Sequence, residues 1–374
     1  RRFLEDKDRQ TSDGDERQRR NSPAEAISIS PFQHSIFFFL AAPFCNNVQF
    51  PIYKSNMNSL VNLSSGHDVP QLGLGTWKCE RDQVKDAVSH ALRNGYTHID
   101  CAIVYENQEE VGQAISEVIS SGTLQRGDLF VTSKLWITHL KPEHVEENLD
   151  ETLGQLSLEY LDLFLIHWPF ALKKKEPYTL FPEKEDGEHE TEQVDLCETW
   201  AKLEELVDAG KIKAIGISNF NEEQTTTILN NCRIRPVVNQ VECHPFLNQE
   251  RLREYLTSEN IKLEAYSPLG NYFPGVGLME SPMESEVIRN IASSKNKSVA
   301  QVILRWHIQK GHIVIPKSIT PSRIDENLQV FDFTLDDAEM SNIDALGSKN
   351  IRYCNPKFRP EGELAFPGET TAFF

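Results

Sequence analysis

The sequence predicts a (β/α)8 barrel, an α/β fold in which parallel strands alternate with helices. Eight short apolar segments lie between residues 72 and 316, and helical periodicity occurs between them. Strands that are apolar on both faces and alternate with helices form parallel sheets, and eight strand–helix units close into a barrel. A doubly wound sheet is the structural alternative, but no Gly-x-Gly-x-x-Gly motif opens a helix in this chain. The barrel is therefore the predicted fold.

Length and composition agree with that fold. The chain has 374 residues, of which 39% are hydrophobic and 25% charged, as expected for one globular barrel. The net charge of −18 disfavours nucleic acid or an anionic membrane as a partner. Seven cysteines without a Cys-x-x-Cys pair favour a reducing compartment, the cytoplasm, over a disulfide framework or a zinc site.

Residues 1–56 differ in character from the rest of the chain. The chain opens with Arg1, and its first methionine is Met57. Residues 1–20 are highly charged and lack periodicity, as in disordered segments. The apolar run at residues 36–42 is too short to cross a bilayer and lies too far from the start for a signal peptide. We expect this segment to be a disordered extension or upstream sequence foreign to the native protein, and residues 57–374 to form the barrel.

The barrel follows a predicted β-hairpin, in which residues 61–63 and 69–70 flank the turn Ser65-Gly66-His67-Asp68. We expect this hairpin to form a small lid before the main fold. The barrel strands are predicted at residues 72–75, 96–100, 129–134, 161–167, 214–218, 237–241, 262–266 and 312–316.

Two helices are strongly indicated by their periodicity. Residues 142–156 begin with a proline in the first turn and carry apolar side chains at three- and four-residue spacings, and residues 299–309 show a similar pattern. Three connections are longer than a barrel needs: residues 170–196, 270–282 and 350–374. Long irregular loops in compact domains are commonly binding loops or mobile covers. We expect these three at the carboxyl-terminal face of the barrel.

Charged side chains end three successive predicted strands. Asp100, Lys134 and His167 each close an apolar run, and Tyr105 follows Asp100 on the next loop. A carboxylate at the tip of a buried strand is unfavourable unless it has a cationic partner or a function. The carboxyl ends of barrel strands meet at one rim, where active sites lie. These four residues are therefore predicted to form an acid–base site, although each alone could serve the structure of the barrel.

The segments around these residues resemble the aldo-keto reductases. Ile99-Asp100-Cys101-Ala102 with Tyr105, Ser133-Lys134-Leu135-Trp136 and Ile166-His167-Trp168-Pro169 match that family's motifs in order and spacing. The resemblance runs from about residue 61 to about residue 374 and is strongest to the aldose reductase and aldehyde reductase group. It implies a barrel that reduces carbonyl compounds with a nicotinamide dinucleotide.

The resemblance assigns a role to each of the four residues. Tyr105 would be the general acid that protonates the developing alkoxide, and Lys134 would stabilise its anion, since a neighbouring cation lowers the pKa of a phenol. Asp100 would hold the lysine in place, and His167 would orient the substrate carbonyl. A glutamate at the position of His167 is associated with the family's steroid double-bond reductases, so histidine favours carbonyl reduction.

A cofactor is required because no side chain in this chain can transfer a hydride. In the family, a nicotinamide dinucleotide lies across the barrel mouth without a Rossmann motif. By this resemblance Ser218, Asn219 and Gln240 would hold its carboxamide, and Tyr266 would stack on its ring. Ser267 and Leu269 would contact the pyrophosphate. The other residues that match cofactor contacts near the rim are Gly75, Thr76, Trp77 and Asp100.

The segment after the eighth strand predicts the type of dinucleotide. Lys317, Ser318, Thr320 and Arg323 surround the start of a predicted helix, and cations with hydroxyl groups at a helix amino terminus make an anion site. By resemblance, Lys317 and Arg323 would pair with the adenosine 2′-phosphate. Such cations in so acidic a chain favour NADP(H) over NAD(H). The residues that match the adenine contacts are Glu326 and Asn327.

Apolar residues at the rim match the substrate pocket of the family, which suits aldehydes with aryl or alkyl bodies. The predicted pocket consists of Trp77, Val104, Tyr105, Trp136, His167, Trp168 and Phe181. The segment Cys243-His244-Pro245 suggests metal ligands, but it lacks partners at ligand spacing. We therefore interpret it as structural and expect no metal.

The sequence thus predicts a monomeric, cytoplasmic, NADPH-dependent aldehyde or aldose reductase with a small carbonyl substrate. The alternative is an NADP(H)-binding regulatory or structural protein on the same fold, like potassium-channel β-subunits and some lens crystallins. A hydrolase or isomerase barrel would need a metal cluster or a carboxylate pair at the rim, and the sequence indicates neither. Steroid, prostaglandin, sugar and lipid aldehydes all stay open as substrates.

Overall fold

A computed structural model describes residues 59–270 and 280–354. The expectations for residues 1–56, for residues 271–279 and for the end of the tail, residues 355–374, concern segments outside that range. Within it, the strands are β1 (Leu60–Asn62), β2 (Asp68–Pro70), β3 (Leu74–Gly75), β4 (His98–Asp100), β5 (Phe130–Leu135), β6 (Leu161–Ile166), β7 (Ala171–Leu172), β8 (Thr191–Glu192), β9 (Ile212–Ser218), β10 (Val238–Glu242), β11 (Lys262–Tyr266) and β12 (Ile313–Val314). The α-helices are α1 (Arg81–Arg93), α2 (Gln108–Ser120), α3 (Pro142–Leu156), α4 (Leu196–Asp208), α5 (Glu222–Asn231), α6 (Glu250–Ser258), α7 (Glu286–Lys295), α8 (Val299–Gln309), α9 (Pro321–Leu328) and α10 (Asp337–Asp344).

The central sheet closes on itself. Strands β3, β4, β5, β6, β9, β10, β11 and β12 form one sheet in that order, and each neighbouring pair is parallel. Backbone bonds join its first and last segments: Gly73 N donates to Val314 O at 2.8 Å, and Gly75 N donates to Pro316 O at 3.1 Å. The predicted (β/α)8 barrel is therefore confirmed.

The strands at the closure are shorter than predicted. β3 and β12 each contain two residues, and isolated bridges of Leu72 with Val314 and of Gly75 with Lys317 join the two ends of the sheet. The second barrel strand begins at His98 instead of residue 96. The two helices with the clearest periodicity, α3 and α8, have the predicted bounds.

The amino-terminal hairpin lies at the end of the barrel opposite the strand carboxyl ends. β1 and β2 pair antiparallel, with Val61 opposite Val69. Leu63 and Val69 are buried in a cluster that includes Phe130 and Val238, which are the first residues of β5 and β10. The expectation of a hairpin is confirmed, but the hairpin covers the amino ends of the strands and is not a lid over the predicted site.

The long connection after β6 is not fully irregular. It contains the two-stranded antiparallel sheet of β7 and β8, in which Ala171 lies opposite Glu192. Lys173 and Lys175 contact Glu190 beyond this sheet, so the acidic and basic runs of the loop pair with each other. This pairing holds the loop beside the rim.

Among residues 59–270 and 280–354, no helix combines the length and the apolar character that a membrane crossing requires.

Candidate active site

The four predicted acid–base residues converge at the carboxyl ends of β4, β5 and β6. Lys134 Nζ donates to Asp100 Oδ1 and Oδ2, both at 2.8 Å, and to the Cys101 carbonyl oxygen at 2.9 Å. Its distance to the Tyr105 hydroxyl is 3.2 Å. Parallel pairing of β4 with β5 brings Asp100 and Lys134 to the same rim, and a one-turn helix, Ile103–Tyr105, returns the phenol towards the lysine.

Lys134 keeps its charge although it is completely buried. Burial alone would lower the pKa of Lys134, but the Asp100 carboxylate and the Tyr105 oxygen raise it above its ordinary value. Asp100 is itself only 2% exposed. A buried ammonium that bonds both carboxylate oxygens is a fixed positive charge beside the phenol.

Tyr105 is protonated at neutral pH. Burial raises the pKa of the phenol, and the Lys134 ammonium opposes that rise. The lysine lowers the pKa of Tyr105, as expected from the sequence. The net pKa is nevertheless raised, because desolvation of the phenolate is the larger effect. A neutral phenol next to a cation can release its proton to an oxygen on which negative charge develops.

His167 lies directly after β6 with its ring against the aromatic rim. Its ring centroid is 6.1 Å from that of Tyr105 and 5.3 Å from that of Trp136. Burial and the Lys134 charge lower the pKa of His167 well below its ordinary value, so the imidazole is neutral and donates from one nitrogen only. Within the described part of the chain, His167 Nδ1 is buried without a hydrogen-bond partner. Such an atom in an otherwise bonded rim indicates that a ligand belongs there.

The residues predicted to hold the nicotinamide are connected to these four. Gln240 Nε2 donates to Asp100 Oδ2 at 2.9 Å, and Ser218 Oγ donates to the Gln240 carbonyl oxygen at 2.8 Å. Asn219 Nδ2 donates to Ser218 Oγ at 3.1 Å, and the Tyr266 hydroxyl donates to Asn219 Oδ1 at 2.9 Å. One hydrogen-bonded chain therefore runs from the end of β11 to Asp100.

The first strand approaches the eighth too closely for a side chain at Gly75. A Cβ atom there would lie 2.8 Å from the Ile315 carbonyl oxygen. Thr76 Oγ1 donates to the Asp100 carbonyl oxygen at 2.8 Å, which fixes the following turn to the rim. Trp77 is half-buried with the Lys78 ammonium 4.4 Å from its ring centroid. The predicted cofactor residues of this turn thus border the site.

The loop after β12 and the first turn of α9 each present one cation to solvent. Lys317 and Arg323 are exposed, and neither forms an ion pair with any residue in the range that the structure describes. The buried Ser318 hydroxyl accepts a hydrogen bond from Thr320 N at 3.1 Å, one residue before α9 begins at Pro321. The two residues predicted at the adenine follow on α9, Glu326 half-buried and Asn327 buried. This arrangement fits a bound anionic group.

The sequence interpretation placed Ser267 and Leu269 at the pyrophosphate. Ser267 has a positive φ of 47°, so the chain turns sharply after β11. Leu269 is half-buried and packs against the hydrophobic core. Both residues come just before the segment 271–279, which lies outside the described residues.

Aromatic side chains pack around His167. The Trp136 and Phe181 ring centroids are 5.4 Å apart, and Trp136 Nε1 donates to the Leu180 carbonyl oxygen at 2.8 Å. Trp168 lies nearly parallel to the His167 ring at 6.4 Å. Trp136 and Trp168 are buried, Val104 is half-buried, and Phe181 is 37% exposed. The long connection after β6 therefore adds the Phe181 ring to this aromatic group, and its role in substrate binding stays a prediction.

The sequence interpretation missed a carboxylate inside the barrel. Glu264, in the middle of β11, is fully buried, and neither of its oxygens has a hydrogen-bond partner among the described residues. Burial, with the Asp100 charge, raises the pKa of Glu264 to about 8. The His98 imidazole lies 3.6 Å away, and burial lowers the pKa of His98 to about 4. A single glutamate within an apolar barrel strand is the sequence signal that could have revealed this group.

Comparison with known proteins agrees with this geometry. The model of the aldo/keto reductase family matches residues 71–348 of the chain. The chain belongs to the aldo/keto reductase family.

Relatives of this reductase cover nearly the whole barrel. The aldo-keto reductase family 1 member A1-A of Danio rerio is 46% identical over 313 residues, which cover 82% of this chain and 95% of that protein. Aldo-keto reductase family 1 member A1 of Homo sapiens is 45% identical over 308 residues, covering 82% and 94%. The solved aldose reductase structure from Schistosoma japonicum superposes with a TM-score of 0.78 at 40% identity and covers 83% of this chain and 100% of that one. This reductase is an oxidoreductase of carbonyl compounds that works with a nicotinamide dinucleotide.

Proposed function

We propose that this reductase uses NADPH to reduce aldehydes to alcohols and that Tyr105 donates the proton. The observation that carries the proposal is the buried contact of the Lys134 ammonium with both the Asp100 carboxylate and the Tyr105 hydroxyl. A structural or regulatory protein on the same fold would not require a phenol, an ammonium and a neutral imidazole directed to one point of the rim. Carbonyl reduction requires all three.

The residues would divide the reaction as follows. The bound nicotinamide supplies a hydride to the carbonyl carbon. His167, a neutral donor against the pocket wall, would hydrogen-bond the carbonyl oxygen and hold it towards Tyr105. The Tyr105 hydroxyl would give its proton to that oxygen as negative charge develops, and the Lys134 ammonium would stabilise the phenolate that is left. Asp100 would keep the lysine charged and in position.

The residues present fit a dinucleotide across the barrel mouth. Gly75 forms a backbone bridge with Lys317, and the Lys317 side chain is exposed without an ion-pair partner among the described residues. Ser218, Asn219 and Gln240 would hold the carboxamide, and the Tyr266 ring would lie against the nicotinamide. These roles rest on the family resemblance and on the hydrogen-bonded chain that links the four side chains to Asp100.

We also propose a preference for NADP(H) over NAD(H). Lys317 and Arg323 lie exposed near the start of α9, and the described residues offer them no carboxylate partner. In a chain with a net charge of −18, two such cations would attract a dianionic phosphate locally. They would pair with the adenosine 2′-phosphate, and Ser318 and Thr320 would contribute hydroxyl groups.

The pocket wall favours aldehydes with aryl or alkyl bodies. Trp136, Trp168 and Phe181 offer apolar surface, while Tyr105 and His167 offer polar contact at the reacting oxygen only.

The six cysteines within the described residues form no disulfide, which supports a reducing compartment such as the cytoplasm. We propose that the reductase acts there as a monomer.

The test is consumption of NADPH, followed at the absorbance band of the reduced nicotinamide, with an aromatic aldehyde and with a panel of alkyl aldehydes and sugars. The expected result is rapid consumption of NADPH with slow consumption of NADH. The Tyr105→Phe variant serves as the negative control because it retains the pocket and lacks the proton donor. Binding of NADPH without turnover across the panel would refute the proposed reaction. It would favour the alternative, an NADP(H)-binding regulatory or structural protein on the same fold.

A further inference from the structure

A second cluster of reactive side chains lies away from the rim site. Cys243 follows β10, His307 belongs to α8, and His312 precedes β12. One potential ligand atom from each of the three residues lies within 4.8 Å of the others. All three side chains are fully buried or nearly so, with exposures of 0%, 0% and 1%. Cys243 lacks partners at the ligand spacing of a sequence motif, but folding brings two histidines beside it that are distant along the chain.

The hydrogen bonds of the cluster leave ligand capacity unused. His307 Nδ1 and His312 Nδ1 are 3.0 Å apart, and only one of them can carry a proton between them. His307 Nε2 lies 3.3 Å from the Pro268 carbonyl oxygen, which accepts a hydrogen bond from it. His312 Nε2 is buried and has no partner within the described ranges. Cys243 Sγ makes only a long contact, 3.6 Å, with the Asn248 carbonyl oxygen.

This pattern resembles the surroundings of metal ligands in general. A histidine that binds a metal through one ring nitrogen usually donates from the other to a carbonyl or carboxylate oxygen. His307 would have that arrangement with a metal in place of the proton that lies between its Nδ1 and His312 Nδ1, because its Nε2 donates to the Pro268 carbonyl oxygen. A buried imidazole nitrogen without a partner is uncommon in a core and calls for a specific explanation.

We propose that Cys243, His307 and His312 form a buried binding site for one zinc ion. A thiolate and two neutral imidazoles are ligands that suit Zn²⁺, and they suit hard cations such as Mg²⁺ poorly. Binding breaks the S–H bond of Cys243 and releases that proton to solvent. The proton between the two Nδ1 atoms moves to His312 Nε2, and one sulfur–zinc bond and two nitrogen–zinc bonds form, so no oxidant or reductant is involved. The ion would join the end of β10, helix α8 and the start of β12.

The charged side chain that lies between the two histidines in sequence, Lys310, is already paired. The nearby Lys310 ammonium is held by Glu250 at 2.7 Å and by Asp344 at 2.9 Å. The other charged or titratable groups that face the cluster are Glu242, His244, Arg253 and Arg352.

The site would have a structural role, since none of its three residues contacts the Asp100–Lys134–Tyr105 group in the described residues. It would stabilise the outer side of the barrel where α8 packs on the last strands. The sequence carries no zinc motif, because Cys243 stands alone and the two histidines are five residues apart. Only the packing of α8 against β12, beside the end of β10, brings the three ligands together.

The experiment uses the full chain, treated with a chelator and dialysed, and then given Zn²⁺ or Co²⁺. We expect about one zinc per chain by elemental analysis and a higher melting temperature with zinc than without it. Co²⁺ reports the ligands directly, because a thiolate-to-cobalt charge-transfer band is expected in the near ultraviolet. This spectrum of the wild-type protein is decisive even where a variant fails to fold.

Variants assign the ligands. Cys243→Ser should abolish the charge-transfer band, and His312→Gln should lower the bound zinc from about one equivalent to less than about a tenth. The matched control is His67→Gln, since His67 lies exposed in the turn between β1 and β2. Failure of the folded wild-type chain to retain zinc, a cobalt spectrum without the thiolate band, or equal zinc content in His312→Gln and His67→Gln would each overturn the site. None of these outcomes depends on reductase activity, so the rim proposal is judged separately.

Discussion

The Lys134 ammonium lies 3.2 Å from the Tyr105 hydroxyl while it bonds both oxygens of Asp100. In the proposed reaction this contact determines the chemistry of the rim. Burial disfavours the phenolate, and the lysine would provide the compensating charge that makes the anion attainable. A phenol that is neutral at rest and stabilised as an anion is suited to give up one proton in each turnover.

Replacement of Tyr105 by phenylalanine tests that role. The aromatic ring stays in the pocket, but the proton donor is lost, so kcat for aldehyde reduction should fall by about 100-fold or more. NADPH binding, measured by fluorescence titration, should change by less than about twofold. Tyr160→Phe is the control, because Tyr160 precedes β6 at the other end of the barrel. Turnover by Tyr105→Phe comparable to that of this control would contradict the assignment of the acid.

Replacement of Lys134 by methionine separates stability from catalysis. The change leaves the buried Asp100 carboxylate without its cation, which should lower the free energy of unfolding by about 3–5 kcal/mol. Addition of Asp100→Asn to Lys134→Met should restore part of that stability without restoring activity, since the unpaired charge is removed while the phenol still lacks the ammonium. Urea unfolding of the wild type, both single variants and the double variant measures the coupling. Strictly additive effects would show that the two residues do not act as a pair.

Local sequence was sufficient to predict the rim site. Asp100, Lys134 and His167 each end an apolar run, and a parallel barrel brings such ends together whatever the details of packing. The same reasoning located Tyr105, because it follows Asp100 on a short loop. The bounds of α3 and α8 were also predictable, since the apolar stripes of both helices have clear 3.6-residue periodicity.

Contacts inside and outside the barrel were not predictable in this way. The bond from Gln240 to Asp100 and the approach of His98 to Glu264 join strands far apart in sequence, and their partners depend on the register and closure of the sheet. The same holds for His307 and His312 beside Cys243. Alternation of apolar residues shows which side chains are buried, but it does not show which buried polar groups meet.

Replacement of Lys317 by methionine tests the proposed phosphate site. Loss of a cation that pairs with the 2′-phosphate should raise the Michaelis constant for NADPH by about tenfold or more, with a change of less than about twofold for NADH. Initial rates with each dinucleotide at saturating aldehyde give both constants. Lys184→Met is the matched control, because it removes an exposed lysine from the loop after β6. Equal increases for the two dinucleotides would exclude a contact specific to the extra phosphate.

Replacement of Glu264 by glutamine should stabilise the barrel, and more so at alkaline pH. The pKa of Glu264 rises from its ordinary value of 4.5 to about 8 in the folded chain, so between these values the unfolded chain loses a proton that the native chain keeps. The stability contributed by this group therefore falls by about 1.4 kcal/mol for each pH unit across that window and levels off above it. Urea unfolding from pH 5 to pH 9 should show the two proteins close together at the acid end and Glu264→Gln more stable at the alkaline end, with the exposed Glu159→Gln as control. A constant difference at every pH would mean that Glu264 does not carry a raised pKa in the native barrel.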